Sequence, residues 1–238
     1  MSTLPNVDLE EVRGKLYERL KESGWGDKLK TFFLSNDFKN ILDTLLKERD
    51  EGKRFTPPLK QVFRAFECCP LKDLKVVMIG QDPYPQINVA DGIAFSCSNT
   101  GKPEASLRYI FKALEESVYK DGYTWDPNLE RWSEQGILML NTALTTSIGK
   151  VGTHYAIWNP FIIFLLDYLT IQQPGLIYVF LGKKAAELSD LIPDNNHKLF
   201  VSHPASAAYQ DLEKWGHDDV FNKISDLVKK QFNETIIW

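Results

Sequence analysis

Long apolar runs are missing from this sequence of 238 residues. No stretch approaches the roughly 18 consecutive apolar residues of a membrane helix, so we expect no membrane-spanning segment and no membrane partner. The first residues are polar and acidic, which is not typical of a secretory signal. The chain is 43% hydrophobic and can bury a full core, so we expect one domain over residues 1–238.

Cysteine is also scarce. The three cysteines, Cys68, Cys69 and Cys97, are odd in number, and adjacent cysteines rarely pair with each other. We therefore expect reduced thiols and an intracellular protein, cytoplasmic or, in a eukaryote, nuclear. The sequence contains no CxxC pair, no HExxH motif and no glycine loop that would cradle a phosphate, so we expect neither a metal nor another cofactor.

An excess of positive charge is absent as well. The chain has 28 Lys and Arg against 32 Asp and Glu, and its net charge of −4 argues against non-specific attraction to nucleic acid. A DNA-binding surface would therefore have to be a local basic or amide-lined patch. Internal repeats and low-complexity tracts are also missing, which fits one folded domain.

The sequence does contain an alternation of helical and strand-like patterns. Helical spacing of apolar residues is found at residues 9–20, 38–46, 59–66, 107–118, 158–169 and 220–228. Short apolar runs are found at residues 75–79, 137–141, 176–181 and 198–202. Strands separated by helices imply a parallel sheet covered on both faces. We predict an α/β fold, a three-layer α/β/α sandwich with a central four-stranded parallel sheet, on which residues 1–70 pack as a helical part.

Polar residues stand at the end of each predicted strand. Asp82 follows the first strand, Asn141 ends the second, Gly182 and Lys183 follow the third, and His203 follows the fourth. Parallel strands end on the same side of a sheet, so these groups should meet in one cleft. An acid, an amide, an imidazole and a backbone turn together favour a catalytic site.

The loop after the first strand is the most constrained of these strand ends. Pro83 disfavours helical backbone at Asp82, and Pro83 and Pro85 each fix their own φ. The loop is therefore stiff and can aim a carboxylate and an aromatic ring. Asp before Pro is, taken alone, more often a turn residue, and only the combination with the other strand ends favours a site.

Four motifs at these strand ends resemble those of the family-1 uracil-DNA glycosylases: Gly80-Gln-Asp-Pro-Tyr84, Asp91-Gly-Ile-Ala-Phe-Ser96, Leu138-Met-Leu-Asn-Thr-Ala-Leu-Thr145 and His203-Pro204. Each is weak alone, and their spacing makes the combination specific. The resemblance runs from about residue 55 to the last residue. It implies a DNA repair enzyme that flips uracil out of single- and double-stranded DNA and hydrolyses its N-glycosidic bond, leaving an abasic site.

The resemblance also assigns roles in base recognition. Phe95 is expected to stack on the extruded uracil. The amide of Asn141 can donate to O4 and accept from N3–H of uracil, and cytosine would mismatch both groups. Tyr84 is expected to crowd C5 of the base and to exclude the methyl group of thymine.

Bond cleavage is assigned to three further groups by the same resemblance. Asp82, when ionised, is expected to stabilise positive charge on the sugar and to orient or deprotonate a water for attack on the sugar carbon. His203, as a neutral imidazole, would donate a hydrogen bond to uracil O2 while negative charge develops there. The backbone N–H of Gln81 is expected to assist at the same oxygen. The remaining histidines, His154, His197 and His217, we assign to structure or surface.

Short loops are expected to contact DNA phosphates, which fix register and carry no sequence information. The candidate DNA contacts are Ser106, Gly182, Lys183 and Ser206, together with Ala207 and Tyr209 in the segment after His203. Ser106 is equally suited to cap the following helix, and one residue can do both. Lys183 is equally suited to be solvated surface.

The sequence departs from the common family pattern at two places. Pro85 stands where the family usually has His, and the form Gly-Gln-Asp-Pro-Tyr-Pro is similar to poxviral glycosylases. In the segment after His203, Ala207 stands where the family has a leucine that wedges into the base stack, and alanine is too short for that role. Tyr209 can substitute by stacking, although simple packing is the alternative.

These departures keep a second class of function open. The alternative is a DNA-binding replication or processivity scaffold with secondary glycosylase activity, because poxvirus-like glycosylases also act as polymerase partners. An unrelated hydrolase using Asp82 is a third reading. The partners expected by resemblance are uracil-containing DNA, a proteinaceous inhibitor that mimics DNA, and a replication partner. The protein itself we expect to be a monomer.

Overall fold

Four apolar runs form the central sheet of the computed structural model, which describes residues 8–120 and 122–238. The strands of this sheet are β2 (Val76–Gly80), β3 (Ile137–Asn141), β5 (Ile177–Leu181) and β6 (His197–Val201). They are all parallel, in the order β3-β2-β5-β6. Each predicted strand is therefore confirmed to within one residue at either end.

Two further strands were not predicted. They are β1 (Phe55–Thr56) and β4 (Thr146–Ser147), which pair antiparallel with Thr56 opposite Thr146. Each is two residues long, which is too short to show the alternation that identifies a strand in sequence. This short pairing holds residues 55–56 beside the segment that follows β3.

Helices surround the sheet, and most follow the apolar spacing. The described residues form α1 (Leu9–Lys21), α2 (Gly26–Phe33), α3 (Asn36–Asp50), α4 (Arg64–Cys68), α5 (Ala105–Leu114), α6 (Glu130–Ser133), α7 (Tyr155–Gln172), α8 (Lys183–Ala186), α9 (Pro204–Tyr209) and α10 (Val220–Phe232). Side chains cap two of the first helices, since Asp8 accepts from the N–H of Glu10 and Ser35 accepts from the N–H of Phe38. None of these helices is long and apolar enough to span a membrane.

One predicted helix is wrong. The apolar spacing over 59–66 predicts a single helix, whereas the chain forms a 3-10 turn at Leu59–Gln61 and then the short helix α4. The break comes at Phe63, whose φ of −103° and ψ of 14° are not helical. The N–H of Ala65 bonds to the carbonyl oxygen of Gly92 at 3.2 Å, so a long-range contact replaces a hydrogen bond of a continuous helix.

The helices lie in two groups, one on each side of the sheet, which gives the α/β/α sandwich. Helix α2 contacts α1, α3 and α7, helix α3 also contacts α7, and α5 contacts α9. Strands β2, β3 and β5 are buried along their whole length, whereas β6 is partly exposed. Strand β3 is the edge strand at the opposite end of the sheet from β6, and α4 and α6 contact it.

Aromatic rings join the N-terminal helices to the rest of the core. Phe66 packs edge-on against Trp25 at 5.1 Å between ring centroids and against Phe161 of α7 at 5.7 Å. Buried residues from the whole described chain belong to one hydrophobic cluster. Residues 1–7 of the predicted helical part lie outside the described residues, and the single domain over 1–238 stays a prediction.

Candidate active site

The carboxyl ends of the parallel strands surround a cleft of about 300 Å³. The residues of interest along its wall are Gln81, Asp82, Tyr84, Phe95, Ser106, His203 and Tyr209. Asn141 lines a narrow adjoining cavity that shares Pro83, Tyr84 and Phe95 with the cleft. The predicted convergence of strand ends is thus found in the structure, because β2, β3 and β6 all run in the same direction.

Asp82 lines the cleft and is half-buried. Its Oδ1 accepts the backbone N–H of Gly152 at 2.8 Å, and its Oδ2 accepts the hydroxyl of Tyr155. Burial raises the pKa of Asp82, and the hydrogen bonds from Tyr155 and Gly152 oppose that rise. The sequence predicts the carboxylate itself but neither of these two partners.

Tyr84 lies between the two prolines of the loop, with Pro83 buried beneath it. Its ring lines both the cleft and the cavity that contains Asn141. Burial raises the pKa of Tyr84 well above its usual range, so the ring is neutral, and its buried hydroxyl has no hydrogen-bond partner among the described residues. The carbonyl oxygen of Pro85 accepts the N–H of Gly149 at 2.9 Å, which anchors the end of the loop.

Phe95 and Asn141 are packed against the bare backbone of Gly80. A Cβ atom on residue 80 would lie 2.6 Å from Oδ1 of Asn141 and 3.0 Å from Cζ of Phe95. Phe95 is only 7% exposed and has a φ of +65°, a conformation that non-glycine residues rarely adopt. Glycine at the end of β2 is therefore required for the amide and the ring to meet.

A buried carboxylate holds the backbone around Phe95. Asp91 accepts the N–H of Ile93 at 3.1 Å, the hydroxyl of Ser96 at 2.6 Å and the N–H of Ser98 at 2.9 Å. Arg64 lies 3.0 Å from the same carboxylate and neutralises its charge. This network stabilises the strained conformation that aims the ring of Phe95 at the cleft.

Asn141 ends β3 beside Gly80 and is 9% exposed. The hydroxyl of the next residue, Thr142, donates to the carbonyl oxygen of Gln81 at 2.8 Å and ties β3 to the loop. The position of the Asn141 side chain is therefore fixed from both strands. An amide so placed offers one donor and one acceptor to the planar edge of a small ring.

His203 precedes α9 and caps it. Its Nδ1 accepts the N–H of Ala205 at 3.1 Å, which places the proton of the neutral ring on Nε2. Burial lowers the pKa of His203 to about 4, so the imidazole is neutral at physiological pH. Its ring centroid lies 5.5 Å from that of Phe95. A neutral N–H donor beside an aromatic face is the geometry expected of a group that stabilises a developing anion.

Gly182 brings β5 into contact with both neighbouring strand ends. Its φ is +88°, and a Cβ atom there would lie 2.8 Å from Nε2 of Gln81 and 2.8 Å from Cβ of His203. A side chain at this position would therefore separate the loop after β2 from the loop after β6. Lys183, the next residue, is exposed.

The two candidate serines differ in their surroundings. Ser106 is buried, lines the cleft and is the second residue of α5, whose N-cap is Glu104. The alternative that Ser106 caps this helix is therefore wrong. Ser206 donates its hydroxyl to the carbonyl oxygen of His203 at 2.7 Å, within the first turn of α9.

The structure contradicts one predicted DNA contact. Residues 204–209 form helix α9 rather than a loop, and Ala207 on that helix is 1% exposed. Its methyl group packs inward because the position faces the core, so Ala207 has no surface to offer a base stack. Tyr209, at the end of the same helix, is 85% exposed and lies at the rim of the cleft.

Sequence reasoning missed the turn after β4, residues 148–155, which runs into the first residue of α7 and supports Asp82. Tyr155 and Gly152 bond to the carboxylate from this turn. His154 is buried between them, with its Nδ1 2.7 Å from the hydroxyl of Thr145 and its Nε2 3.0 Å from a carboxylate oxygen of Glu48. No periodic pattern marks this turn, because its bonds to Asp82 and Glu48 join residues 70 to 106 positions apart.

Comparison with known proteins places these features in a family. The family described as "Uracil DNA glycosylase superfamily" matches residues 66–227. The uracil-DNA glycosylase of Psychromonas ingrahamii is 33% identical over 208 residues, which are 86% of this chain and 95% of that protein. The uracil-DNA glycosylase of Acinetobacter baumannii is 32% identical over 235 residues, 96% of this chain and 97% of that protein.

Solved structures agree with this comparison. A crystal structure of a mimivirus UNG variant in complex with UGI superposes on this chain with a TM-score of 0.81 and 25% sequence identity. The superposition covers 90% of this chain and 87% of that chain. The relationship therefore includes the helices and the sheet as well as the motifs at the strand ends.

Proposed function

The chain belongs to the uracil-DNA glycosylase superfamily, and we propose that Asp82 and His203 carry its reaction while Tyr84, Phe95 and Asn141 select the base. The activity is that of a DNA repair glycosylase, which hydrolyses the N-glycosidic bond of uracil in DNA and leaves an abasic site. The assignment of roles depends on one observation: the carboxylate of Asp82 and the neutral imidazole of His203 line the same cleft.

The base is selected in the space around Phe95. Extrusion of the nucleotide costs a few kcal/mol, and stacking of uracil on the ring of Phe95 offsets part of that cost. The Asn141 amide then faces the edge of the base that carries O4 and N3–H. A base with the opposite donor and acceptor pattern leaves this buried amide unpaired, at a cost of about 1–3 kcal/mol. Tyr84 occupies the space that a C5 methyl group would need.

Bond breaking separates charge, and the two catalytic groups match that separation. Positive charge develops on the sugar as its bond to uracil breaks and is stabilised by ionised Asp82, which also orients the attacking water and accepts its proton when the water oxygen bonds to the sugar carbon. Negative charge develops on uracil O2 and is stabilised by the Nε2–H of His203. The backbone N–H of Gln81 assists at the same oxygen. His203 donates without losing its proton, because Nδ1 is engaged with Ala205 and the ring stays neutral.

DNA phosphates are bound, in this proposal, by the short segments around the cleft. Ser106 lines the cleft, and Lys183 is an exposed cation beside it. The backbone N–H of Gly182 donates to the carbonyl oxygen of Val201, and the N–H and hydroxyl of Ser206 both donate to the carbonyl oxygen of His203, so a phosphate at either residue has to share one of these donors. Tyr209 is the exposed ring that takes the place of the usual leucine wedge.

The finer classification is a family-1 enzyme with a poxvirus-like loop. The motifs at the strand ends support the family-1 assignment, and Pro85 supports the likeness of the loop. A proteinaceous inhibitor that mimics DNA is a proposed partner, because the similar mimivirus UNG variant was solved in complex with UGI. A replication partner, a monomeric state and an intracellular location stay predictions from the sequence.

Two variants test the roles of Asp82 and His203. Asp82→Asn and His203→Leu should each lose most of the rate of uracil release from a uracil-containing oligonucleotide, measured as alkali-labile breaks. Tyr168→Phe, on α7 and away from the cleft, is the control for the handling of variants. Wild-type rates in both variants would overturn the mechanism while leaving the family assignment intact.

A further inference from the structure

The carboxylate of Asp82 accepts two hydrogen bonds from the turn after β4. Gly152 donates its backbone N–H to Oδ1 at 2.8 Å, and Tyr155 donates its hydroxyl to Oδ2. We propose that Tyr155 is a positioning residue, which fixes the plane of the Asp82 carboxylate and keeps that group ionised when DNA covers the cleft. The proposal rests on the proposed function, in which Asp82 acts on the sugar and the water.

The two donors bind different oxygens of the Asp82 carboxylate, and this fixes the orientation of the carboxylate plane. A carboxylate bonded through one oxygen can still rotate about its Cβ–Cγ bond, whereas donors to both oxygens fix its plane. An ionised carboxylate has about four lone-pair sites on its two oxygens. Tyr155 and Gly152 occupy two of them, so sites remain for the attacking water and for the sugar.

Tyr155 is itself held in place before any substrate arrives. It is the first residue of α7, and Nζ of Lys184 lies 5.1 Å from the centroid of its ring. The ring of Tyr155 also packs against Gly152, whose φ is +75°. A Cβ atom added to Gly152 would lie 3.1 Å from Cε2 of Tyr155. The ring therefore packs on bare backbone, and its hydroxyl meets Asp82 without a further loss of side-chain freedom.

The charges around Asp82 make these donors important. Burial raises the pKa of Asp82, and Tyr155 is the strongest of the groups that lower it. His154 also faces the carboxylate, but burial lowers the pKa of His154, and its Nε2 lies 3.0 Å from a carboxylate oxygen of Glu48. The hydroxyl of Thr146 also lowers the pKa of Asp82. Without Tyr155, the carboxylate would be protonated more easily.

The test is Tyr155→Phe, which removes one oxygen atom and keeps the ring. We expect kcat for uracil release to fall about tenfold, with KM within about twofold of wild type, because the lost bond is to a charged group. The acid limb of the pH profile of kcat/KM should move up by about one pH unit. Tyr168→Phe is the matched control, since Tyr168 lies on the same helix and only burial raises its pKa.

Three outcomes overturn the proposal. They are a wild-type kcat and acid limb in Tyr155→Phe, a loss confined to KM, and an equal loss in Tyr168→Phe. Should Tyr155→Phe fail to fold, as judged by its thermal transition, Gly152→Ala decides: its Cβ, at a φ of +75° and 3.1 Å from Cε2 of Tyr155, strains the turn and disturbs both donors, so the acid limb should move up, and an unchanged acid limb overturns the proposal. Asp82→Asn separates the two hypotheses: if it retains wild-type activity, the proposed function of Asp82 fails as well.

Discussion

Replacement of Gly80 by alanine adds a Cβ atom to the backbone against which Phe95 and Asn141 pack. A Cβ atom on residue 80 would lie 2.6 Å from Oδ1 of Asn141, which is too short for a real contact, and 3.0 Å from Cζ of Phe95, which is tighter than most real contacts. The φ of Gly80 is outside the left-handed region, so alanine causes no backbone strain there. The added methyl group therefore acts only by displacing these two side chains.

The magnitude follows from what has to move. The Asn141 amide is the end of a side chain and can swing away, so the cost of overpacking should stay within about 1–3 kcal/mol. For a chain of this size that cost lowers Tm by about 2–12 °C. A displacement of about 1 Å in an active site can cost about 10²-fold in rate, and we expect kcat/KM to fall about 100-fold.

The assay follows uracil release from end-labelled single- and double-stranded oligonucleotides by alkaline cleavage at the abasic site. Both substrates should be affected equally, since the base slot is common to them. Gly14→Ala is the matched control, because a Cβ atom there has no neighbour within 4 Å and the residue lies within α1. Wild-type kcat/KM in Gly80→Ala, with Tm unchanged, would refute the reasoning about the base slot.

Three further predictions concern the wedge, the base and the pH profile. Tyr209→Ala should slow uracil release from double-stranded DNA about tenfold and leave single-stranded DNA unaffected, because only a duplex has a gap for the ring to fill. Tyr84→Ala should release measurable thymine from a normal oligonucleotide, because space opens beside C5. Activity should fall as the pH drops through the raised pKa of Asp82 and show no limb from His203 between about pH 5 and 8, since the pKa of His203 is about 4.

Each of these predictions has a contrary result. Equal losses on both DNA forms in Tyr209→Ala would mean that the ring contributes to folding or to the chemical step. Thymine release no greater than in wild type would remove Tyr84 from base selection. A pH limb near 6.5 that disappears in His203→Leu would show that the imidazole titrates and is charged in the cleft.

Local patterns in the sequence were sufficient for most of the secondary structure. The runs that form β2, β3, β5 and β6 are apolar and about five residues long, and this short length favours a buried parallel strand over a buried helix. The pattern over 59–66 failed because the hydrogen bond from Ala65 to Gly92 interrupts the helix. A contact across 27 positions leaves no trace in the apolar spacing.

The sequence by itself determined which residues stand at the strand ends. Asp82, Asn141 and His203 follow directly from the apolar runs and the motifs, because backbone preference and burial are encoded locally. Their approach to one cleft also follows from parallel strand direction. Residue identity and order along the chain were therefore enough to place the candidate site in the fold.

Only the tertiary structure decided how these groups are held. It put Ala207 inside and Tyr209 outside on one short helix, and it gave His203 its neutral tautomer through the N–H of Ala205. It also brought Tyr155 to Asp82 across 73 positions. Distances, burial and pKa values arise from packing between distant segments, and no local stretch of sequence contains that information.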